Sequence, residues 1–353
     1  MTAPIPLEKN SIKGLRSASR SMSFTIPVPK RRRRRLPPLP IRDGLNPTRV
    51  RTPDAAPIPA ATFLIEVISS QRHRHPADNT AAILERFAAG EVRLHDGTAL
   101  MPTDILAPGT DIWFYRQAAP EPPVPYEIPV IYEDERILVV HKPPFLATMP
   151  RGAHIVQSAV VQLRKRLGID ELSPAHRLDR LTSGLLLFTK AQEYRGAYQS
   201  LFAAQQVHKT YTAIAPFKPF PMPLQWASHL SKEIGTLQAI THAQTEANAF
   251  TNLVDVSALD AVSQAKLEAI YGKYPPLASY TLQPLTGRTH QLRVHMWQAG
   301  VPILGDPIYP QPLPADLEDF AKPMHLTATA LEFTDPITKD LKIFKAAPVL
   351  EIL

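Results

Sequence analysis

From about residue 60 onward, short apolar runs alternate with polar turns, and each run predicts an element. Thr62-Phe63-Leu64-Ile65-Glu66-Val67 predicts a strand, rich as it is in aromatic and β-branched residues. Asn79 to Ala89 predicts a helix with Asn79 as N-cap, Ile83, Leu84 and Phe87 inward, and Gly90 as its stop. Glu91 to Leu94 and Asp111 to Tyr115 are expected to be short strands around an Asp96-Gly97 turn. Val130 to Lys142 reads as a strand, an acidic turn and a second strand ending at Lys142-Pro143. Val156 to Leu167 is amphipathic, burying Val156, Ala159, Val160, Leu163 and Leu167, with Gly168 after it and Arg164, Lys165 and Arg166 on the solvated face.

The most informative pattern follows. A charged stretch, His176 to Gly184, runs into the tetrad Leu185-Leu186-Leu187-Phe188, as a loop feeding a buried strand does. Asp179 is the only acid in that stretch and sits at the mouth of the strand between Arg177 and Arg180, where nearby opposite charge favours a charged carboxylate. Taken alone, the stretch is also consistent with a surface ion-pair loop. Downstream, Glu193 to Gln206 predicts a helix burying Tyr194, Tyr198, Leu201 and Phe202. His208 to Ile214 predicts a strand with Lys209 and Tyr211 on one side. Pro216 to Leu277 reads as a hairpin region and an inserted helix over Asp260 to Tyr271, with no chemistry assigned. Ser279 to Pro284 predicts a strand leading through a polar turn into a helix over Gln291 to Trp297, and the last strands are expected at Ala330 to Thr334 and Lys342 to Ala346.

Composition adds boundaries. At 353 residues and 44% hydrophobic, the chain is long enough for two domains. It has no cysteine, which excludes disulfides, thiolate metal sites and Cys nucleophiles. With no apolar run of 18 residues and no secretory-type leader, the expectation is a cytoplasmic protein with no membrane partner. The net charge of +7 is unevenly placed: residues 1–59 carry 13 Lys/Arg against 3 Asp/Glu, which leaves −3 for residues 60–353. A folded part that binds nucleic acid must therefore do so through a local patch. Residues 1–59 hold 11 of the 38 prolines and are expected to be a disordered basic tail, part of residues 1–20 reading as a wrongly assigned start. The run Lys30 to Arg35 suits a phosphate-binding arm about as well as it suits a solvated tail or import signal. Residues 118–129 read as an extended linker.

The string His176-Arg177-Leu178-Asp179-Arg180-Leu181-Thr182-Ser183-Gly184 resembles the signature of the RluA-type pseudouridine synthases. Lys209-Thr210-Tyr211 resembles the family's Lys-x-Tyr motif, and Leu285-Thr286-Gly287-Arg288-Thr289-His290-Gln291-Leu292-Arg293-Val294-His295 its third motif. Lys142-Pro143 is similar to the first motif, which supports the active-site floor, and 302–309 with 324–328 complete the C-terminal pattern. More loosely, residues 60–117 are similar to a small S-four-type RNA-binding domain, although its early helical pair is not evident around Ser70 to Pro76. The resemblance implies an α+β catalytic domain over 130–353 with a mixed, mostly antiparallel sheet, acting as a monomer on structured RNA, ribosomal RNA slightly favoured over tRNA.

It also implies roles. Asp179, Tyr211 and Arg293 would be catalytic, with Arg293 directed at the carboxylate; His176, Arg177, Arg180, Thr182, Lys209, Arg288, His290 and Leu292 would bind the RNA or the base. Isomerising uridine breaks the bond from base nitrogen 1 to the sugar and rejoins the base through carbon 5. That balance requires no redox change, phosphate donor or metal, so no cofactor is expected. It does require a carboxylate at the glycosidic bond and a group near the ring for the proton of carbon 5. Two other readings are weighed. A metal-dependent hydrolase using His176, Asp179, His290, His295 and His325 is disfavoured by the five-residue spacing of His290 and His295. A catalytically inactive RNA-binding or ribosome-assembly protein is disfavoured by the joint presence of Asp179, Tyr211 and Arg293.

Overall fold

The structure, a computed structural model, describes residues 37–233, 235–314 and 318–352, so the Lys30 to Arg35 run and the rest of residues 1–36 lie outside the described residues. The first part comprises β1 (Thr48–Arg51), β2 (Ile58–Pro59), α1 (Ala60–Ser69), α2 (Thr80–Ala88), β3 (Arg93–Leu94), β4 (Ile105–Leu106) and β5 (Asp111–Phe114). β1, β5 and β3 form a three-stranded antiparallel sheet, and β2 pairs with β4. The structure departs from two expectations in this part. Residues 37–59 are not a tail, because β1 pairs along its whole length with β5 and Thr52 is buried, its hydroxyl donating to the Ala107 carbonyl at 2.8 Å. The run from Thr62 to Val67 is helix rather than strand: the buried positions Ala60, Phe63, Leu64 and Ile68 fall on one helical stripe against Ile83 and Phe87 of α2. A short apolar run fits either period, and packing decides. α1 packs against α2, and of the two only α2 is expected from the sequence. The N-cap of α2 is as expected, the Asn79 side chain accepting from Ala82 N at 3.1 Å.

The second part comprises β6 (Val130–Glu133), β7 (Ile137–Lys142), α3 (Ala159–Leu167), β8 (Ser173–Pro174), β9 (Ser183–Thr189), α4 (Gln192–Ala203), β10 (His208–Pro216), β11 (Leu224–Ser228), β12 (Leu230–Ser231), β13 (Ile240–Thr241), β14 (Ala249–Ala258), α5 (Ala261–Tyr271), β15 (Leu277–Pro284), α6 (Gln291–Gln298), β16 (Leu326–Thr334), β17 (Leu341–Lys345) and α7 (Val349–Ile352). Its ten-stranded sheet runs β11-β14-β15-β10-β16-β9-β7-β6, with β17 on β16 and β8 on β9. Every pairing is antiparallel except β16 with β9, so the expected mixed, mostly antiparallel α+β fold is what forms.

β9 is buried on both faces, with alternate side chains in different cores. Leu186 and Phe188 pack with Ala159, Val160 and Leu163 of α3, while Leu185 and Leu187 pack with Tyr198 and Leu201 of α4. On the β10–β15 side, Leu292 and Met296 of α6 pack over Ala213, Tyr280 and Leu282. The solvated face expected for Arg164 is a further correction: its guanidinium is buried and donates to the carbonyls of Leu172 at 2.9 Å and Gly44 at 3.1 Å. The segment read as a linker is extended but docked, since the Glu121 carboxylate accepts from the backbone N–H groups of Ile155, Val156 and Gln157 at 2.7–2.9 Å.

Candidate active site

The loop before β9 is held at almost every residue around Asp179. Thr148 Oγ1 donates to the Leu178 carbonyl at 2.8 Å and accepts from Leu178 N at 3.1 Å. Lys142, fully buried at the end of β7, donates from Nζ to the carbonyls of Pro143 and Leu146 at 2.8 Å and of Arg180 at 3.1 Å. Burial pushes its ammonium well below the ordinary lysine range, and the charge of Asp179 acts in the opposite sense. Thr182 N donates to the Asp179 carbonyl at 3.1 Å, and Ser183 Oγ shares a hydrogen bond with Thr327 Oγ1 at 2.9 Å. Gly184 has φ +106° and a Cβ there would lie 2.3 Å from the Ala328 carbonyl oxygen, so only glycine lets β9 approach β16 this closely.

That approach places a row across the sheet. Gly184 is opposite Ala328, and Ala328 is opposite Tyr211 of β10, where the register shifts between Thr210 and Tyr211. Such an irregularity re-aims a side chain. Burial, reinforced by the negative charge of Asp179, raises the Tyr211 phenol above its ordinary range, so it stays protonated at neutral pH.

The polar turn after β15 forms the facing wall. Gln291 fixes it: its Oε1 accepts from Thr286 Oγ1 at 2.7 Å and Arg288 N at 3.1 Å, while Nε2 donates to the Phe250 carbonyl and Thr251 Oγ1. Between these walls lies a cleft of about 610 Å³. Ten of the eleven residues expected to act there line it: Asp179, Tyr211, Arg293, His176, Arg177, Thr182, Lys209, Arg288, His290 and Leu292. The exception is Arg180, whose guanidinium pairs with Glu318.

Several of these side chains have other partners than the sequence suggests. Arg293 does not fork onto Asp179. Its Nε and Nη2 donate to the two oxygens of Asp306 at 2.7 and 2.6 Å, in a pair whose side chains are 2% and 1% exposed. Asp306 is itself held by Ile308 N and Tyr309 N at 2.8 and 3.2 Å. Burial lowers the Arg293 pKa, but the hydrogen bonds to Asp306, its charge and then that of Asp179 outweigh it and raise the value above the ordinary one. His176 accepts from Leu187 N at 3.2 Å and stacks on Phe202 with centroids 4.2 Å apart; burial, and then the charge of Lys209, lowers it to about 3, so it is a neutral wall of the cleft. His290 has φ +58° and its Nδ1 shares a hydrogen bond with Tyr309 OH at 3.0 Å; burial first, then Arg293, lowers it to about 4. Burial lowers Lys209 as well. Arg177 and Arg288 are exposed at the rim, Arg288 donating to the Asn248 carbonyl at 3.2 Å.

Sequence reasoning missed four contributors: Thr148, Gln291, Asp306 and Lys232. Lys232, in the hairpin region left without chemistry, lies near enough that the charges of Arg293 and Asp179 both act on it, although burial is what mainly lowers its pKa. Among the described residues no group of three or more His, Cys, Asp or Glu is placed to hold a metal ion. Of the imagined ligands, His295 bonds instead to Ser228 Oγ and Thr251 Oγ1 at 2.8 and 2.9 Å, and His325 to Tyr271 OH at 3.1 Å.

Residues 136–298, which include Asp179, Tyr211 and Arg293, match the family described as RNA pseudouridylate synthase. The dual-specificity RNA pseudouridine synthase RluA of Haemophilus influenzae is 30% identical over 226 residues, 64% of this chain and 95% of that protein. The tRNA pseudouridine(31) synthase of Saccharomyces cerevisiae is 28% identical over 274 residues, 70% of this chain and 66% of that protein. In fold, the human RNA pseudouridylate synthase domain containing 1 superposes with a TM-score of 0.50 at 23% identity, over 64% of this chain and 86% of that one. The chain therefore belongs to the RNA pseudouridylate synthase family, as an RluA-type member, and is an isomerase that converts uridine to pseudouridine in RNA.

Proposed function

We propose that the chain isomerises one particular uridine in a structured RNA with Asp179 as the catalytic carboxylate. The observation that carries this reading is the grip on Asp179: Leu178 is clamped by Thr148 and Arg180 by Lys142, so the intervening carboxylate is presented to the cleft by a backbone that cannot drift. Asp179 assists departure of the base by attack or by stabilising an oxocarbenium-like sugar. The base turns, carbon 5 bonds to the sugar carbon that nitrogen 1 left, carbon 5 loses its proton and nitrogen 1 gains one, so the product is an isomer. The protonated Tyr211 phenol faces the base and takes part in that proton transfer as a donor or relay rather than as a free phenolate. Arg293, with two of its donors on Asp306, acts through its positive charge and the remaining edge of its fork. Leu292 is an apolar wall for the base, and the exposed Arg177 fills the space that the flipped uridine vacates.

Ribosomal RNA is the favoured substrate because the helical pair and small sheet of residues 48–114 add a second, S-four-like surface for a large RNA. The tRNA reading is favoured instead by the Saccharomyces cerevisiae relatives named for tRNA positions 31 and 32. Pseudouridine mapping of total RNA from cells with and without the gene decides between them: the RNA class in which a mark disappears is the substrate. A cytoplasmic monomer is part of this reading, and cell fractionation and light scattering test it.

A further inference from the structure

Arg180 follows Asp179 directly, yet its guanidinium turns from the cleft and forks onto both oxygens of Glu318, with a further bond to the Phe145 carbonyl at 3.3 Å. The root of the side chain is fixed, because Lys142 holds the Arg180 carbonyl. The ion pairs Arg293–Asp306 and Arg180–Glu318 differ in kind. Arg293–Asp306 is sealed at 2% and 1% exposure, whereas Arg180–Glu318 is open to solvent at 27% and 29%. An open pair contributes little to stability and exchanges readily. Glu318 also sits in a segment without regular secondary structure, tethered by the Tyr126 hydroxyl on the Phe320 carbonyl and by Phe320 packing edge-on against Phe145 at 5.1 Å.

A carboxylate offers a guanidinium fork the same two-oxygen face that a phosphate does. Residues 60–353 carry a net charge of −3, so an RNA held there needs local cations, and one beside the reacting carboxylate is tied up by an acid. We propose that Arg180 is a binding site for an RNA backbone phosphate next to the target uridine, and that Glu318 is a placeholder which the phosphate displaces. No covalent bond or proton moves in the exchange: Glu318 goes to water and the fork closes on the phosphate. This inference rests on RNA being the substrate.

A strut and a placeholder make opposite demands on Glu318. Binding of a synthetic, fluorescently labelled RNA stem-loop with uridines in its loop is measured for the full chain across a potassium chloride series. Glu318→Gln is expected to tighten binding by about three- to tenfold. Arg180→Gln is expected to weaken it and to lower the slope of log K against log salt by about 1. In the double variant the gain from Glu318→Gln should vanish. Glu318→Asp, which keeps the charge but shortens the reach, should give a smaller gain. Weaker or unchanged binding by Glu318→Gln overturns the proposal, as does a gain that persists undiminished without Arg180. Binding is read without turnover, so the fate of activity in Asp179→Asn bears on the isomerase chemistry and not on this exchange.

Discussion

At Asp179 and Tyr211 the roles proposed for single side chains have separable consequences. Asp179→Asn keeps shape and loses the charge that departure of the base requires, so turnover should fall by at least about a thousandfold while RNA binding and thermal unfolding stay close to wild type. A parallel loss of binding would point instead to a purely structural carboxylate. Tyr211→Phe keeps the ring and removes the hydroxyl. With the phenol held protonated by burial and by Asp179, the loss should appear in kcat, by about 10²- to 10⁴-fold, with little change in KM. A variant that raised KM alone would assign Tyr211 to stacking without proton transfer.

Among elements, the junction of β9 with β16 is the most demanding. Gly184→Ala sets a methyl group 2.3 Å from the Ala328 carbonyl at φ +106°, and should destabilise the protein by about 3 kcal/mol or more in denaturant titration. Lys142→Met strips two buried carbonyls and the half-buried carbonyl of Arg180 of their donor, and should cost about 3 kcal/mol and lower kcat more than it raises KM. β9, the helices on either face of it, and the turn into α6 were legible because period and local motif agree there. α1 was not, because a six-residue run with four aromatic or β-branched residues carries no clear period of its own, and its helical state is set by packing on α2. The cleft-lining residues were legible as motif letters. Their partners were not: that Arg293 would close on Asp306, thirteen residues on, or Arg180 on Glu318, follows from how loops meet in space rather than from any spacing in the chain.

For the whole molecule, buried neutral histidines set the response to acid. His295 and His325, 3% and 2% exposed, are each lowered by burial to about 4, below the unfolded value of 6.5. Between those values the unfolded chain binds the proton and the folded chain does not, so stability is full above pH 6.5 and is lost as pH falls toward 4, by about 1.4 kcal/mol per pH unit for each. Denaturant titrations at pH 7.5 and 5.0 should show this loss, and His295→Gln should reduce it; an unchanged slope would mean that His295 is not held neutral. The central claim, that Asp179 does the chemistry on one RNA uridine, is met most directly by pseudouridine mapping across total RNA from cells lacking the gene, complemented with the wild type or with Asp179→Asn. The expected result is a single lost mark that the wild type restores and Asp179→Asn does not. Restoration by Asp179→Asn, or an unchanged set of marks in cells lacking the gene, would contradict it.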